Sequence, residues 1–213
     1  MAKPARNPPP PRWRRRADAR PEEILDAALE EFTEQGFDAA RMEDIAKRAG
    51  ISKAGVYLYF PSKDSLLKAL IEAKVSPFAK NARAIADAHH ADPLAALRMI
   101  AAAAASVVGD PKNFAVPRLI VSVSARFPDV AEYYRTNVVE IARSALERLI
   151  AAGVKAGKLR AVEPRAAARA FVGPIFFEAM WTHVLRGDSA FDAPEELINS
   201  HMDILLNGLE QRA

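Results

Sequence analysis

The chain of 213 residues contains no cysteine, which excludes disulfide bonds, thiolate metal sites and cysteine nucleophiles. The same absence suits a reducing compartment, so we expect a cytoplasmic protein. No stretch reaches the roughly 20 uninterrupted apolar residues that a membrane-spanning helix needs. Prolines and arginines fill the place where a signal peptide would have its apolar segment. We therefore expect neither secretion nor membrane insertion.

Catalytic motifs are lacking as well. The chain has no GxSxG, no HExxH and no glycine-rich phosphate loop. Only His89 and His90 are adjacent among the four histidines, and neighbouring side chains on a helix point in different directions, which does not suit a shared metal ion. We expect no enzyme, no cofactor and no metal site. The alternative is a helical small-molecule binding protein or enzyme whose N-terminal module does not read DNA.

Charge is unevenly distributed along the chain. The formal net charge is +3, but residues 1–20 hold seven basic residues and one acidic residue, so the remaining chain carries −3. A segment rich in proline and arginine cannot bury enough apolar surface to fold alone. We interpret residues 1–20 as a disordered basic arm for nucleic acid phosphate or an anionic membrane surface. A solvated tail without a partner is the alternative.

Helical signals begin after the arm. Apolar residues recur at helical spacing from residue 24, and Gly36 stops this first helix. The segment "RMEDIAKRAG" predicts a second, short helix that ends at Gly50. A third helix starts at the N-cap Ser52 and ends near Tyr59, since the proline at position 61 disfavours helix just before it. A fourth opens at Ser62. Two short helices around a glycine turn indicate a helix-turn-helix.

Longer amphipathic helices with Asp-Pro or glycine punctuation follow from about residue 78, and no convincing strand pair is present. The pattern predicts an all-α fold with three parts. Residues 1–20 form the arm, residues 21–70 a small helix-turn-helix domain, and residues 71–213 a larger helical bundle.

The stretch "ISKAGVYLYFPSKDSL", residues 51–66, carries the chemistry of the small domain. In a helix-turn-helix the second helix lies in the major groove. Lysine can donate to guanine or to phosphate, small residues allow close approach, and tyrosine hydroxyls reach phosphates. Lys63 stands in the first turn of the next helix, where free N–H groups favour an anion. The alternative is that these aromatic residues are core and the lysines ordinary surface.

The segment "ILDAALEEFTEQGFDAARMEDIAKRAGISKAGVYLYFPSKDSLLKAL" closely resembles the DNA-binding domain of the TetR (tetracycline repressor) family of bacterial transcription regulators. The resemblance implies a homodimer, a double-stranded DNA operator with two half-sites, and a C-terminal domain that binds a small-molecule inducer. It also implies DNA contacts by Ser52, Lys53, Ala54, Gly55, Tyr57, Tyr59 and Lys63.

Some positions depart from the family pattern. Ala40 and Arg41 replace the usual Thr or Ser before the second helix, so that helix lacks a hydroxyl cap worth roughly 1 kcal/mol. Arg41 compensates, in this interpretation, through a phosphate contact. Gly55 stands where threonine is common and Leu58 where histidine is frequent. The operator sequence cannot be transferred from the resemblance.

The C-terminal half resembles the family more loosely. Candidate pocket residues are aromatic or flexible groups on helices expected to face each other: Met99, Phe114, Phe127, Tyr134, Phe176 and Trp181. The final two helices, residues 165–185 and 195–209, occupy the usual place of the dimer interface, with candidates Phe171, Phe177, Leu197, Ile198, Met202, Leu205 and Leu209. The alternatives are core packing and a monomer with a wide core. We expect a repressor released by its inducer, although an activator has the same sequence features.

Overall fold

The computed structural model describes residues 20–189 and 191–209. All the regular elements among them are helical, as the sequence predicts. In chain order they are α1 Arg20–Gln35, α2 Met42–Arg48, α3 Lys53–Tyr59, α4 Lys63–Leu70, a π-helical segment Ile71–Val75, α5 Ser76–Ala88, α6 Pro93–Gly109, α7 Pro111–Val123, α8 Pro128–Tyr134, a second π-helical segment Arg135–Val139, α9 Glu140–Lys155, α10 Pro164–His183 and α11 Pro194–Leu209.

The chain divides into two compact units between Leu66 and Leu67. The division falls inside α4, so one helix belongs to both units. The predicted boundary at residue 70 lies in the same helix, and residues 1–19 of the predicted arm lie outside the described part of the chain.

The first unit holds a small core between α1, α2 and α3. Ile24, Ile45 and Val56 are fully buried, and the Phe32 and Phe37 ring centroids lie 4.9 Å apart. Gly36 and Gly50 have φ values of +82° and +66°, which L side chains adopt only with strain. These two glycines therefore end α1 and α2 as the sequence predicts.

The second unit is a bundle with a larger core. Helices α5, α6, α9 and α10 surround it, and α11 packs on α6. Its interior is built mainly from alanine, leucine, isoleucine and phenylalanine. Its fully buried members include Leu97, Ala101, Leu146, Ile150, Ala168 and Phe171. Small alanine side chains let these helices approach closely.

Two π-helical segments interrupt the helices of the second unit. The first, Ile71–Val75, directly precedes Ser76 and Pro77. Proline has no N–H and its ring clashes with the carbonyl four residues earlier, so the wider π turn accommodates Pro77 without ending the helix. No single helix in the described ranges is long and apolar enough to cross a membrane. Helices α6 and α7 together have the length and composition of a span, but the chain bends by 83° between them.

Candidate DNA-binding surface and ligand cavity

The turn between α2 and α3 is held by local hydrogen bonds. The Ile51 N–H donates to the Ala46 carbonyl at 3.0 Å. The Ser52 Oγ accepts a hydrogen bond from the Gly55 N–H at 3.1 Å, which makes Ser52 the N-cap of α3. Phe60 is extended and ends α3 before Pro61. The predicted start and end of this helix are both confirmed.

Helix α3 exposes large side chains for so short a helix. Val56 alone among its residues is buried, whereas Tyr57, Leu58 and Tyr59 are 42%, 80% and 37% exposed. Ala54 is exposed too. Exposed apolar and aromatic groups gathered on one short element are typical of a binding surface.

Lys53 forms an ion pair at the start of this helix. Its Nζ donates to the Glu43 carboxylate from α2 and lies 5.8 Å from the centroid of the Tyr57 ring. The hydrogen bond with Glu43 raises the pKa of Lys53, and the bond from Lys53 lowers the pKa of Glu43. Both groups are therefore charged at neutral pH.

Arg41 and Lys63 lie at two helix starts. Arg41 is the exposed N-cap of α2 and makes no side-chain cap hydrogen bond, as the missing hydroxyl predicts. The Lys63 Nζ donates to the carbonyls of Phe37 and Asp38 at 2.6 and 3.0 Å. Lys63 thus ties the α1–α2 turn to α4, and one of its three N–H groups is left for another acceptor.

Arg48 is a structural residue that the sequence interpretation missed. Its two terminal guanidinium nitrogens donate to the Glu34 carboxylate at 3.1 and 2.6 Å. They also donate to Glu30 and Glu31. The hydrogen bond with Arg48 lowers the pKa of Glu34. The signal was available, since Glu30 and Glu34 are spaced to share one face of α1. This cluster fixes α2 on α1 and so positions the turn that follows.

The second unit contains an apolar cavity of about 190 Å³. It lies between α5, α6, α9, α10 and the second π-helical segment. No polar side chain is among its lining residues, which are Phe78, Ala79, Ala82, Ile100, Ala103, Ala104, Val107, Val138, Ala142, Leu146, Phe171, Val172, Ile175 and Phe176. Such a wall can hold an apolar group but offers it no side-chain hydrogen bond.

Phe176 is the predicted pocket residue that lines this cavity. The other five lie elsewhere in the described part of the chain. Phe114 is buried beside Phe176, with ring centroids 5.4 Å apart. Trp181 is partly exposed and donates to the Asp188 carbonyl at 3.0 Å. Burial raises the pKa of Tyr134 to about 12. Phe127 is the N-cap residue of α8 and Met99 is exposed on α6.

The predicted interface residues divide between the core and the surface. Phe171, Ile198 and Met202 are buried within their own chain, because the apolar stripes of α10 and α11 first close the bundle. Phe171 also lines the cavity. Phe177 is 60% exposed, Leu197 and Leu205 are half-buried, and the side chain of Leu209 is outside the described part. The sequence shows the stripe but not which side of it faces solvent.

A polar cluster in the second unit was also missed. The Tyr133 hydroxyl donates to Glu72 at 3.0 Å, and Lys80 pairs with the same carboxylate at 3.1 Å. Burial raises the pKa of Tyr133, and its bond to Glu72 adds to that rise. Burial alone would raise the pKa of Glu72, but the bonds from Lys80 and Tyr133 lower it overall. This cluster joins the two π-helical regions, and no short-range pattern predicts a contact between residues 61 positions apart.

Helix α3 is capped, has an exposed face and follows the glycine turn after α2. This is the arrangement of helix-turn-helix DNA-binding regulators. Comparison with known proteins agrees. Residues 24–70 match the family described as bacterial regulatory proteins, tetR family, and residues 95–206 match the AefR-like transcriptional repressor C-terminal domain. The chain therefore belongs to the TetR family. It is a DNA-binding transcriptional regulator, and its C-terminal match is to a domain of transcriptional repressors.

Individual relatives extend the likeness to most of the chain. The HTH-type transcriptional regulator RutR of Escherichia coli strain K12 is 31% identical over 165 residues, which cover 71% of this chain and 69% of RutR. The flavonoid-responsive regulator FrrA has a TM-score of 0.64 at 28% identity and covers 92% of this chain and all of its own. FadR of Bacillus subtilis, solved with stearoyl-CoA, has a TM-score of 0.68 at 22% identity, covers 88% of this chain and 98% of its own, and shows the shared fold.

Proposed function

We propose that this chain is a homodimeric repressor whose two α3 helices enter successive major grooves of an operator, and that an apolar small molecule releases it. The half-sites of such dimers lie one turn of the DNA helix apart, about 34 Å, or a multiple of that distance. The observation that carries the proposal is the exposed face of the capped helix α3. The protein acts by binding and not by catalysis, and it works in the cytoplasm, where its operator is.

The positions of the side chains support the proposed DNA contacts. Lys53 stands in the first turn of α3 and can donate to guanine or phosphate, while Ala54 and Gly55 allow the helix to approach the base edges. Tyr57 and Tyr59 present rings and hydroxyls at the exposed face. Ser52, Arg41 and Lys63 complete the surface: Ser52 fixes the helix start, Arg41 is exposed for a phosphate, and Lys63 adds one free N–H.

The cavity supports an apolar inducer. A void of about 150 Å³ lined by apolar groups holds a single benzene ring, and the present cavity is of similar size. The wall of α6 from Ile100 to Val107 is about 10 Å long at 1.5 Å per residue. A larger apolar chain, such as the stearoyl group of the FadR ligand, would have to separate α5, α6 and α10.

Separation of those helices supplies a mechanism of release. Phe78 and Ala79 of α5 line the cavity, and α5 continues backwards through the first π-helical segment into α4. A ligand that moves α5 therefore moves the helix that the DNA-binding unit shares. Couplings between ligand sites of this kind are of order 1–3 kcal/mol.

Dimerisation would use the outer sides of α10 and α11. Phe177 and Trp181 stack with centroids 6.3 Å apart on α10, and Ile204 on α11 is 71% exposed. Large apolar groups left on two neighbouring helices favour a second copy of the same surface. Phe177→Glu should convert the dimer to monomer in analytical ultracentrifugation, whereas Val121→Glu, which charges an exposed position of α7, should not.

The DNA-binding proposal is tested with a double variant. A preferred site would be selected by the wild type from a pool of random duplexes and used as the operator. Lys53→Ala combined with Tyr57→Ala should abolish operator binding in a gel-shift assay while an apolar fluorescent probe, 1-aminoanthracene, still binds. Lys155→Ala, at an exposed lysine of α9, is the control for charge. Operator binding that survives the double change would reject the contact assignment.

The N-terminal arm adds phosphate or minor-groove contacts in this proposal. Deleting residues 1–20 should lower operator affinity and flatten the plot of log K against log salt, since each neutralised phosphate contributes about −0.9 to the slope. An unchanged slope would remove the arm from the interface.

A further inference from the structure

The DNA-facing end of the first unit carries a carboxylate that the contacts above leave without a function. Glu43 lies in the first turn of α2, and its carboxylate accepts from the Nζ of Lys53 at the start of α3. Both side chains are about half exposed. A negative charge next to the recognition lysine opposes non-specific binding, because that binding is electrostatic and comes from phosphates.

We propose that Glu43 is a specificity-determining residue, which together with Lys53 reads one G·C base pair and withholds Lys53 from phosphates elsewhere. This inference rests on the proposed insertion of α3 into the major groove. The chemistry of the base pair matches the ion pair. Guanine presents two acceptors, N7 and O6, to a lysine, and cytosine presents its N4 amino group to a carboxylate.

The hydrogen-bonding capacity of the two groups allows both contacts without breaking the ion pair. A lysine ammonium has three donors and a carboxylate about four acceptor sites, so one Lys53–Glu43 hydrogen bond leaves groups on each partner for the base edges. Tyr57 limits the directions in which the Lys53 side chain can extend, because its ring lies beside the ammonium on the side of α3. An exposed ion pair is also weak, so a well-placed guanine can draw Lys53 forward.

At non-specific DNA the same pair works in the opposite direction. A phosphate offers acceptors to Lys53 but no donor to Glu43, so the carboxylate is repelled and the lysine remains partly neutralised. Removing the charge of Glu43 should therefore strengthen non-specific binding and weaken discrimination. The effect must pass through Lys53 if the inference is correct.

The test compares Glu43→Gln with a variant that removes the same charge elsewhere. Glu132→Gln is suitable because Glu132 is exposed on α8 in the second unit. Site selection from random duplexes and fluorescence anisotropy with a random-sequence 30-base-pair duplex would be measured for both, between 50 and 200 mM salt. The same Glu43→Gln change would be repeated in a Lys53→Ala background.

We expect a fixed G·C pair in the half-site that the wild type selects. Glu43→Gln should lose the preference at that pair alone, bind the random duplex three- to tenfold more tightly, and steepen its log K against log salt plot by about 0.9. Glu132→Gln should change none of these. In the Lys53→Ala background the change at Glu43 should have little effect, since coupled residues are not additive.

Two results would overturn the inference. One is a Glu43→Gln protein that keeps the selected base pair and binds random duplex no better than Glu132→Gln. The other is an equal effect with and without Lys53, which would indicate a general charge effect. A wild type that selects no site at all would instead reject the proposed function.

Discussion

Filling the cavity should separate ligand response from DNA binding. Ala104 lies on the cavity wall in α6, and Ala104→Leu places three more carbons in the void. Three buried carbons contribute about 2 kcal/mol at about 0.8 kcal/mol each, and overpacking offsets part of this gain.

The expected net stabilisation of Ala104→Leu is about 1 kcal/mol, which raises the melting temperature by about 2–4 °C for a chain of this size. The dissociation constant of 1-aminoanthracene should rise at least tenfold, a loss of about 1.4 kcal/mol, because the substituted side chain occupies the site. Operator affinity without ligand should remain unchanged, since no residue of the first unit is altered.

Ala102→Leu is the matched control. Ala102 is on the same helix but exposed, so the same substitution leaves the cavity free. Calorimetry, probe titration and gel shift would be carried out on both proteins. The reasoning fails if Ala104→Leu binds the probe as tightly as the wild type, or if Ala102→Leu weakens the probe equally.

Three further predictions concern other parts of the chain. Ser52→Ala removes the α3 cap and should cost about 1 kcal/mol of stability with a loss of operator affinity, whereas Ser52→Thr should retain most of both. Burial raises the pKa of Tyr134 to about 12 in the folded protein, against about 10 when unfolded, so the stability it contributes is complete below pH 10 and is lost between pH 10 and 12. The free energy of unfolding of Tyr134→Phe, from urea titrations, should therefore fall less across that window than that of the wild type. An identical fall would contradict the burial of the Tyr134 hydroxyl. A Cβ at Gly187 would lie 2.0 Å from the Trp181 ring, so Gly187→Ala in a Trp13→Phe background should shift Trp181 emission to longer wavelength, and an unchanged spectrum would refute that packing.

Local signals predicted the first unit well. The caps at Ser52 and Ser62, the glycines at 36 and 50, and the break before Pro61 each act within a few residues, and the structure has all of them. The reciprocal hydrogen bonds between Ser62 and Ser65, at 3.0 and 3.1 Å, are a capping arrangement of this local kind. The sequence alone predicts a feature where the residues that determine it lie next to it in the chain.

Positions in the bundle could not be predicted in the same way. The aromatic residues of α10 were visible as interface candidates, but Phe171 lines the cavity while Phe177 is exposed. The direction of each side chain depends on which helices arrive on either side, and that is a property of the whole chain. The Glu72–Tyr133 contact and the Lys53–Glu43 pair were missed for the same reason, as each joins two separate helices.

The shared helix α4 has a consequence for anyone who dissects or recombines this protein. Leu66 and Leu67 are both fully buried, yet they fall on opposite sides of the division between the units. A fragment cut there would end in the middle of a helical turn, and each unit would lose the buried leucine that lies on the other side of the cut. Chimaeras that graft another sensor onto this DNA reader should therefore carry α4 whole and make the junction beyond the π-helical segment, so that the splice falls where the helix already changes its winding.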